Sequence, residues 1–262
     1  MNNSPDEYLE NIFRLRGKTV LVTGACGQLG KVICEAFLNT GVDVIGADLK
    51  LDQKKIINND NINYFILDIA SKKSVKNLFY NLYKKYNSID ILINNAGVST
   101  FENFEDRSDE SFAWVVDINL KGTFFCIQEY FNYQKKENIG NIINVASVYG
   151  LISPDPRIYS EGDRKNSEVY GATKAGVIQI SKYFATHLAE KNFRVNAISP
   201  GGIFNQDEPQ SKKFINEYSK RNPMGRMAKQ EEIIGAMLYL ASDASTYVTG
   251  HNLVIDGGMS CW

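Results

Sequence analysis

Tyr170 and Lys174 stand four residues apart in Y-G-A-T-K, inside a stretch (168–191) with helical periodicity. Positions i and i+4 share one helix face, so a phenol and an ammonium can enter the same pocket. Free tyrosine titrates near about 10 and exchanges protons poorly at neutral pH. A neighbouring cation favours phenolate and brings that pKa down, making Tyr170 a usable proton donor and acceptor. The same pair also arises as a packed aromatic beside a solvated lysine, so the reading leans on two more residues. Ser147, in N-V-A-S-V-Y-G (144–150), follows an apolar run and can hold a substrate oxygen while charge develops on it. Its alternative is an ordinary turn hydroxyl. Asn119, in N-L-K-G-T-F, can fix a water that hands protons to Lys174, or can simply be an amide packed between helices.

A second constellation suits a nucleotide. The segment T-G-A-C-G-Q-L-G comprises Thr23, Gly24, Gly27, Gln28, Leu29 and Gly30 between an apolar run and a helical one. Glycines there let the backbone approach a pyrophosphate, and the following helix offers free N–H groups and a favourable dipole. Asp48 lies 18 positions after Gly30, at the end of the second apolar run. A carboxylate there accepts hydrogen bonds from the adenosine ribose and repels a 2′-phosphate, which favours NAD(H) over NADP(H). Ala25 and Cys26 add no basic group, although Lys50 is close in sequence. Asp68 and Ile69, and Asn95, Ala96 and Gly97 in N-N-A-G, follow further runs and fit an adenine and ribose pocket; each alone is more often a turn.

Positioning these groups requires alternating elements. Apolar runs at 18–23, 42–47, 62–67, 89–93, 141–145, 194–198 and 252–255 read as strands. Amphipathic spacing at 28–39, 71–86, 109–135, 168–191 and 231–241 reads as helices. The expectation is an α/β protein: a single Rossmann-fold domain with a doubly wound, seven-stranded parallel sheet and helices on both faces. Residues 1–16 read as a short amphipathic leader. Stretches 151–168 and 204–222 are irregular, and both follow strand ends, where open α/β sheets bind ligands.

Composition narrows the class. The 262 residues suit one large domain, and 29 basic against 30 acidic side chains give a net charge of −1. That balance recommends neither a nucleic-acid nor a membrane partner. Four cysteines without a C-x-x-C pair, and two histidines, suggest reduced thiols and no metal site. No apolar run reaches the roughly 18 residues of a membrane span, and the polar, acidic N-terminus is unlike a signal peptide. The expected location is the cytoplasm.

Taken in order, these segments resemble the classical short-chain dehydrogenases/reductases over residues 18–258. The matching pieces are the Thr-Gly loop, N-N-A-G (94–97), N-L-K-G-T-F (119–124), Ser147, Y-G-A-T-K (170–174), R-V-N-A-I-S-P-G (194–201) and the tail ending I-D-G-G (255–258). The resemblance implies that Tyr170 is the acid/base, that Lys174 lowers its pKa and binds the nicotinamide ribose, and that Ser147 orients substrate. Asn119 becomes the proton-relay asparagine, and Pro200, Gly201 and Ile203 flank the nicotinamide. It also implies direct hydride transfer and a homodimer or homotetramer, often built on a bundle of long helices.

Three departures matter. The loop is T-G-x-x-G-x-x-G, a form more common among extended relatives such as sugar-nucleotide epimerases, so Gln28 stands where the classical form has glycine. Ser147 and Tyr170 are 23 positions apart, roughly ten beyond the family's usual separation. The surplus sits in 151–168, beside the serine, where Arg157, Tyr159, Arg164 and Lys165 could meet a phosphate or carboxylate, or could be a solvated loop. Asn205 stands where many relatives carry a threonine on the carboxamide.

The expected activity is NAD(H)-dependent interconversion of a secondary alcohol and a ketone on a small molecule. The polar 204–222 loop points to a sugar, sugar phosphate or polyol. The insertion and tail also resemble reductases of bacterial surface-sugar and flagellin-glycan pathways. Two alternatives stand beside this: an NAD-using epimerase or dehydratase on activated sugars, which normally carries a larger C-terminal domain, and a non-catalytic nucleotide-binding regulator.

Overall fold

Seven short β-branched runs form the strands β1 (Thr19–Thr23), β2 (Asp43–Asp48), β3 (Ile62–Ile66), β4 (Ile91–Asn94), β5 (Gly140–Val145), β6 (Phe193–Pro200) and β7 (Asn252–Ile255). The structure, a computed structural model, describes residues 5–86, 88–134, 139–159 and 165–262. All neighbouring strands pair in parallel, in the order β3-β2-β1-β4-β5-β6-β7. The doubly wound sheet expected from the alternation is therefore present.

Strand periodicity splits the core into two layers. Val20, Val22, Ile91, Ile93 and Ile143 face one side, against Ile33 and Phe37 of α2 (Gln28–Asn39) and Met237 and Leu240 of α8 (Ile234–Ala241). Leu21, Ile45, Leu92 and Ile142 face the other. There they meet Val75, Leu78, Phe79 and Leu82 of α3 (Lys72–Lys85), Ile127 and Tyr130 of α5 (Thr123–Gln134), and Ala185 and Leu188 of α6 (Glu168–Leu188). The strand order reverses between β1 and β4, which opens a crevice at their carboxyl ends.

The leader is helical, as its amphipathic spacing reads, and two later elements differ from the sequence reading. The leader folds as α1 (Pro5–Ile12) and is joined to the body by Leu15, which is buried in the first layer. The helix expected over 109–135 is interrupted: α4 (Asp109–Val116) passes through a π-helical turn (Asp117–Gly122) into α5. Thr123 Oγ1 donates to the Asn119 carbonyl at 2.7 Å, a side-chain bond that competes with the regular ladder. The 204–222 stretch contains α7 (Lys212–Lys220), capped by Ser211, whose hydroxyl accepts from Phe214 N at 3.1 Å. A nine-residue helix with Phe214, Ile215 and Tyr218 as its apolar face is too short to stand out from a polar loop by periodicity.

Candidate active site

The nucleotide end is built where β1 stops. Gly24 takes φ +66°, and a Cβ there would lie 2.8 Å from Ala96 Cα. That close approach brings the N-N-A-G turn against the glycine loop. Thr23 Oγ1 accepts from Asn95 N and Ala96 N at 3.1 Å each, while Asn95 Nδ2 donates to the carbonyls of Thr23 and Gly24. Gly30 is buried against Gly24, so α2 sits hard on the turn. No side chain caps the first turn of α2, which leaves its N–H groups open for an anion.

These residues edge a cleft of about 810 Å³. Gly24, Gly27, Gln28, Leu29, Asp48, Asp68, Ile69, Asn95, Ala96, Gly97, Pro200, Gly201 and Ile203 line it, together with Ser147, Tyr170 and Lys174. Thr23 and Gly30 lie behind it and shape it. Asp48 Oδ2 accepts from Cys26 N at 2.9 Å, so the carboxylate fastens the glycine loop as well as facing the cleft. Lys50 and Lys55 line the same end.

The proton-transfer end is carried by β5 and α6. Lys174 is buried and its Nζ donates to the Val145 carbonyl at 2.8 Å; removal from water pulls its pKa down to about 8. Its ammonium lies 5.7 Å from the centroid of the half-buried Tyr170 ring. Burial pushes the Tyr170 phenol above its ordinary value, and a hydrogen bond with Ser147 works against that rise. Burial is the larger influence on the phenol, and Lys174 is itself desolvated and held to a strand carbonyl. Ser147 is buried, opens a 3-10 turn (Val148–Gly150) and accepts from Tyr149 N at 3.2 Å.

Asn119 reaches the same place from the π-helical turn. Its Oδ1 accepts from Val98 N at 2.8 Å, and its Nδ2 donates to the Val98 carbonyl and to Thr173 Oγ1. A Cβ on Gly97 would fall 3.2 Å from Lys174 Nζ and 3.4 Å from Asn119 Oδ1, so only glycine leaves that space open. Asn94, read in the sequence as part of the nucleotide turn, instead helps hold α6 with Asn144, a buried amide not singled out there: Asn94 Nδ2 donates to Asn144 Oδ1, and Asn144 Nδ2 to Ser181 Oγ, both at 2.8 Å. Their signal was one asparagine at the end of each of two apolar runs. Ser167 caps α6 by accepting from the N–H of Tyr170 itself.

A second cavity of about 330 Å³ adjoins the cleft at Ser147, Tyr170, Gly201 and Ile203. Tyr149, Tyr159, Tyr218, Phe214 and Met227 wall it, with Asn166 and Gln210 as its amides. Tyr149 and Tyr159 share a hydrogen bond at 3.2 Å, and burial holds the Tyr149 phenol far above its ordinary value. Tyr218 accepts from Gly202 N at 2.6 Å. Among the described residues no charged side chain lines this cavity.

Tyr159 thus lines this cavity, and Arg157 does not. Arg157 is exposed and pairs with Asp155 at 2.7 Å, because the 3-10 turn Pro156–Ile158 points it outward. Lys165 is exposed, and Arg164 lies outside the described residues. Asp155 also bonds Arg221 at 2.8 Å, and Arg221 bonds Glu217, so the insertion is clamped to α7. Gln28 donates from Nε2 to the Phe204 carbonyl at 3.1 Å, tying the glycine loop to the start of 204–222. The Asn205 side chain accepts from Asp207 N and Glu208 N, closing a local turn rather than facing the cleft. Among the described residues no His/Cys/Asp/Glu cluster suits a metal, and no helix is long and apolar enough to cross a membrane.

The cleft fits a dinucleotide by its donors and its glycine-lined floor. Comparison with known proteins agrees. A family model described as enoyl-(acyl carrier protein) reductase matches residues 24–260. A 3-oxoacyl-[acyl-carrier-protein] reductase of Thermotoga maritima is 34% identical over 94% of this chain and 99% of its own length. An NAD-dependent glycerol dehydrogenase of Listeria innocua is 32% identical, covering 94% and 95%. A solved short-chain dehydrogenase of Leptospira borgpetersenii with bound NAD+ superposes with a TM-score of 0.87 at 39% identity, covering 99% of this chain and 96% of that one.

Proposed function

We propose that this chain, which belongs to the short-chain dehydrogenase/reductase family, is an NAD(H)-dependent oxidoreductase that interconverts a secondary alcohol and a ketone on an uncharged polyol or ketose. The observation that carries the reading is the junction of cleft and cavity, where Ser147 and Tyr170 face both. A bound nicotinamide supplies the hydride acceptor or donor. Ser147 holds the substrate oxygen by hydrogen bonding. Tyr170 moves the proton between that oxygen and the protein. Lys174 keeps a proton-rich, positive neighbour beside the phenol, and the space over Gly97, flanked by Lys174 Nζ and Asn119 Oδ1, is where a water relay to Lys174 would run.

Asp48 supports the choice of NAD(H), since its carboxylate faces the cleft near the ribose position. The cavity supports a neutral, hydroxyl-rich substrate. Tyrosine hydroxyls and amides offer hydrogen bonds, and aromatic faces cover carbon. A sugar phosphate is the weaker fit, because Arg157 points to solvent. The exposed Phe112, Trp114, Phe124 and Tyr183 on α4, α5 and α6 support a homodimer or homotetramer.

The test is direct. The purified protein is titrated with NADH and NADPH by fluorescence, then assayed for NAD(H) turnover on unmodified ketoses and polyols, their phosphates, and a 3-oxoacyl thioester. Tighter NADH binding and turnover of the unmodified sugars support the reading. Preference for the thioester, or for the phosphates, overturns the substrate class. Tightly retained NAD with no net absorbance change on turnover points to epimerisation, and binding of neither dinucleotide to a regulator.

A further inference from the structure

Asn166 immediately precedes Ser167, the cap of α6, and lines both the nucleotide cleft and the substrate cavity. Its Oδ1 is buried, and no donor among the described residues reaches it. Buried carbonyl-type oxygens are nearly always paired, because an unmade hydrogen bond there is costly. The other such side-chain oxygens, on Tyr86, Asn94, Gln128 and Asn141, lie away from the cavity; Asn166 faces the place where substrate meets cofactor.

The chemistry of the junction restricts what completes this oxygen. Ser147 and Tyr170 serve the reacting oxygen of the substrate. A ketone oxygen has no proton to give, and an alcohol's single proton goes to Tyr170. An amide oxygen beside them therefore needs a second donor, on an atom close to the reacting carbon.

We propose that Asn166 reads a hydroxyl on the carbon next to the reacting one, so that the preferred substrates are α-hydroxyketones and the vicinal diols they become. In the reductive direction the carbonyl carbon takes a hydride from the reduced dinucleotide. Its oxygen takes the Tyr170 proton, and the products are the diol and the oxidised dinucleotide. The neighbouring hydroxyl is unchanged and remains bonded to Asn166 Oδ1. This inference rests on the oxidoreductase reading and narrows its substrate class. Asn166 sits in the insertion, so its placement depends on the residues by which this chain exceeds the family's usual spacing.

The experiment compares acetoin with butanone, which differ only in the hydroxyl beside the carbonyl, on the full chain with NADH. The analogue that lacks the hydroxyl leaves one buried acceptor unpaired and is rejected, here by about 10- to 100-fold in kcat/KM. The acetoin-to-butanone ratio in Asn166→Leu then falls to within about threefold of one, and Asn166→Asp, which keeps the acceptor, restores part of it. NADH titration of each variant reports folding. A wild-type ratio near one, or a ratio unchanged in N166L, overturns the inference and leaves the oxidoreductase reading standing. Loss of NADH affinity in N166L with an unchanged ratio assigns the amide to the cofactor instead and also overturns it. Reduction of neither ketone by an enzyme that does turn over unmodified ketoses or polyols overturns the inference alone; no turnover of any of these with NADH or NADPH overturns the underlying reading and the inference with it.

Discussion

Lys174 Nζ lies 5.7 Å from the centroid of the Tyr170 ring and gives its hydrogen bond to the Val145 carbonyl at 2.8 Å. The ammonium is thus held by β5, and the phenol is hydrogen-bonded by Ser147, just beyond the same strand. The two groups share one helix and are both held from the end of that strand.

Burial lowers the Lys174 pKa to about 8, whereas an unfolded lysine titrates near about 10.4. Between those values the unfolded chain holds more protons, so native stability rises with pH across that window. Lys174→Met removes this dependence. Its stability advantage over wild type at pH 7 is expected to be on the order of 2 kcal/mol and to vanish by pH 10, while activity is lost. Urea denaturation at pH 7 and pH 10 measures it; parallel curves for the two proteins would refute it.

Tyr170→Phe keeps the ring and removes the proton donor. We expect kcat to fall by about 10²- to 10⁴-fold with NADH affinity within about threefold of wild type. Steady-state kinetics beside fluorescence titration separates the two, and a kcat within tenfold of wild type would remove Tyr170 from the acid/base role.

Asp48→Ala removes the carboxylate proposed to accept from the ribose and leaves Lys50 and Lys55, which line the same end of the cleft. NADH affinity should fall about tenfold and NADPH affinity should rise, because Lys50 and Lys55 then face a 2′-phosphate with Asp52 as the remaining carboxylate lining that end. The Cys26 N–H also loses its partner, so a modest drop in melting temperature should accompany the switch.

Cutting the clamp between the insertion and α7 should affect binding more than chemistry. Arg221→Ala is expected to raise KM for the carbonyl substrate by about 3- to 10-fold with kcat within about twofold. Hydrogen bonds from Lys220 and Arg221 pull the Glu217 pKa down to about 2, and those from Arg157 and Arg221 lower that of Asp155. Their contribution is present above the ordinary carboxylate range and fades as pH falls through the lowered values. Acid unfolding followed by tryptophan fluorescence should therefore begin at higher pH in R221A, since Trp262 Nε1 donates to the Arg221 carbonyl.

Gln28→Gly restores the glycine of the commoner loop and removes the tether to Phe204. NADH affinity should change by less than about threefold, and substrate KM should rise severalfold. Equal loss of both would place Gln28 on the cofactor.

The frame was legible because its signals are local. Seven apolar runs and the spacing of Tyr170 to Lys174 specified the sheet and one helix face, and the order of motifs named the family. The cavity was not legible, because its walls meet only in three dimensions. Arg157 carried the right chemistry and points outward, while Asn166 carried no spacing signal and points in. Asn119 was found as a residue, but the π-helical turn that carries it, where the Thr123 hydroxyl bonds its carbonyl, is a break that periodicity does not register.

The cavity's outer walls come from two excursions, residues 151–168 after β5 and 204–222 after β6, joined to each other by Asp155 and Arg221. Lengthening such an excursion is cheap, at about 0.6 kcal/mol for each doubling. Tyr170 and Lys174, the residues proposed to move protons, and Ser147 lie in the rigid frame, outside both excursions. Descendants of this chain can therefore change what they consume by insertion and drift in two stretches of sequence, and keep the same reaction while doing so.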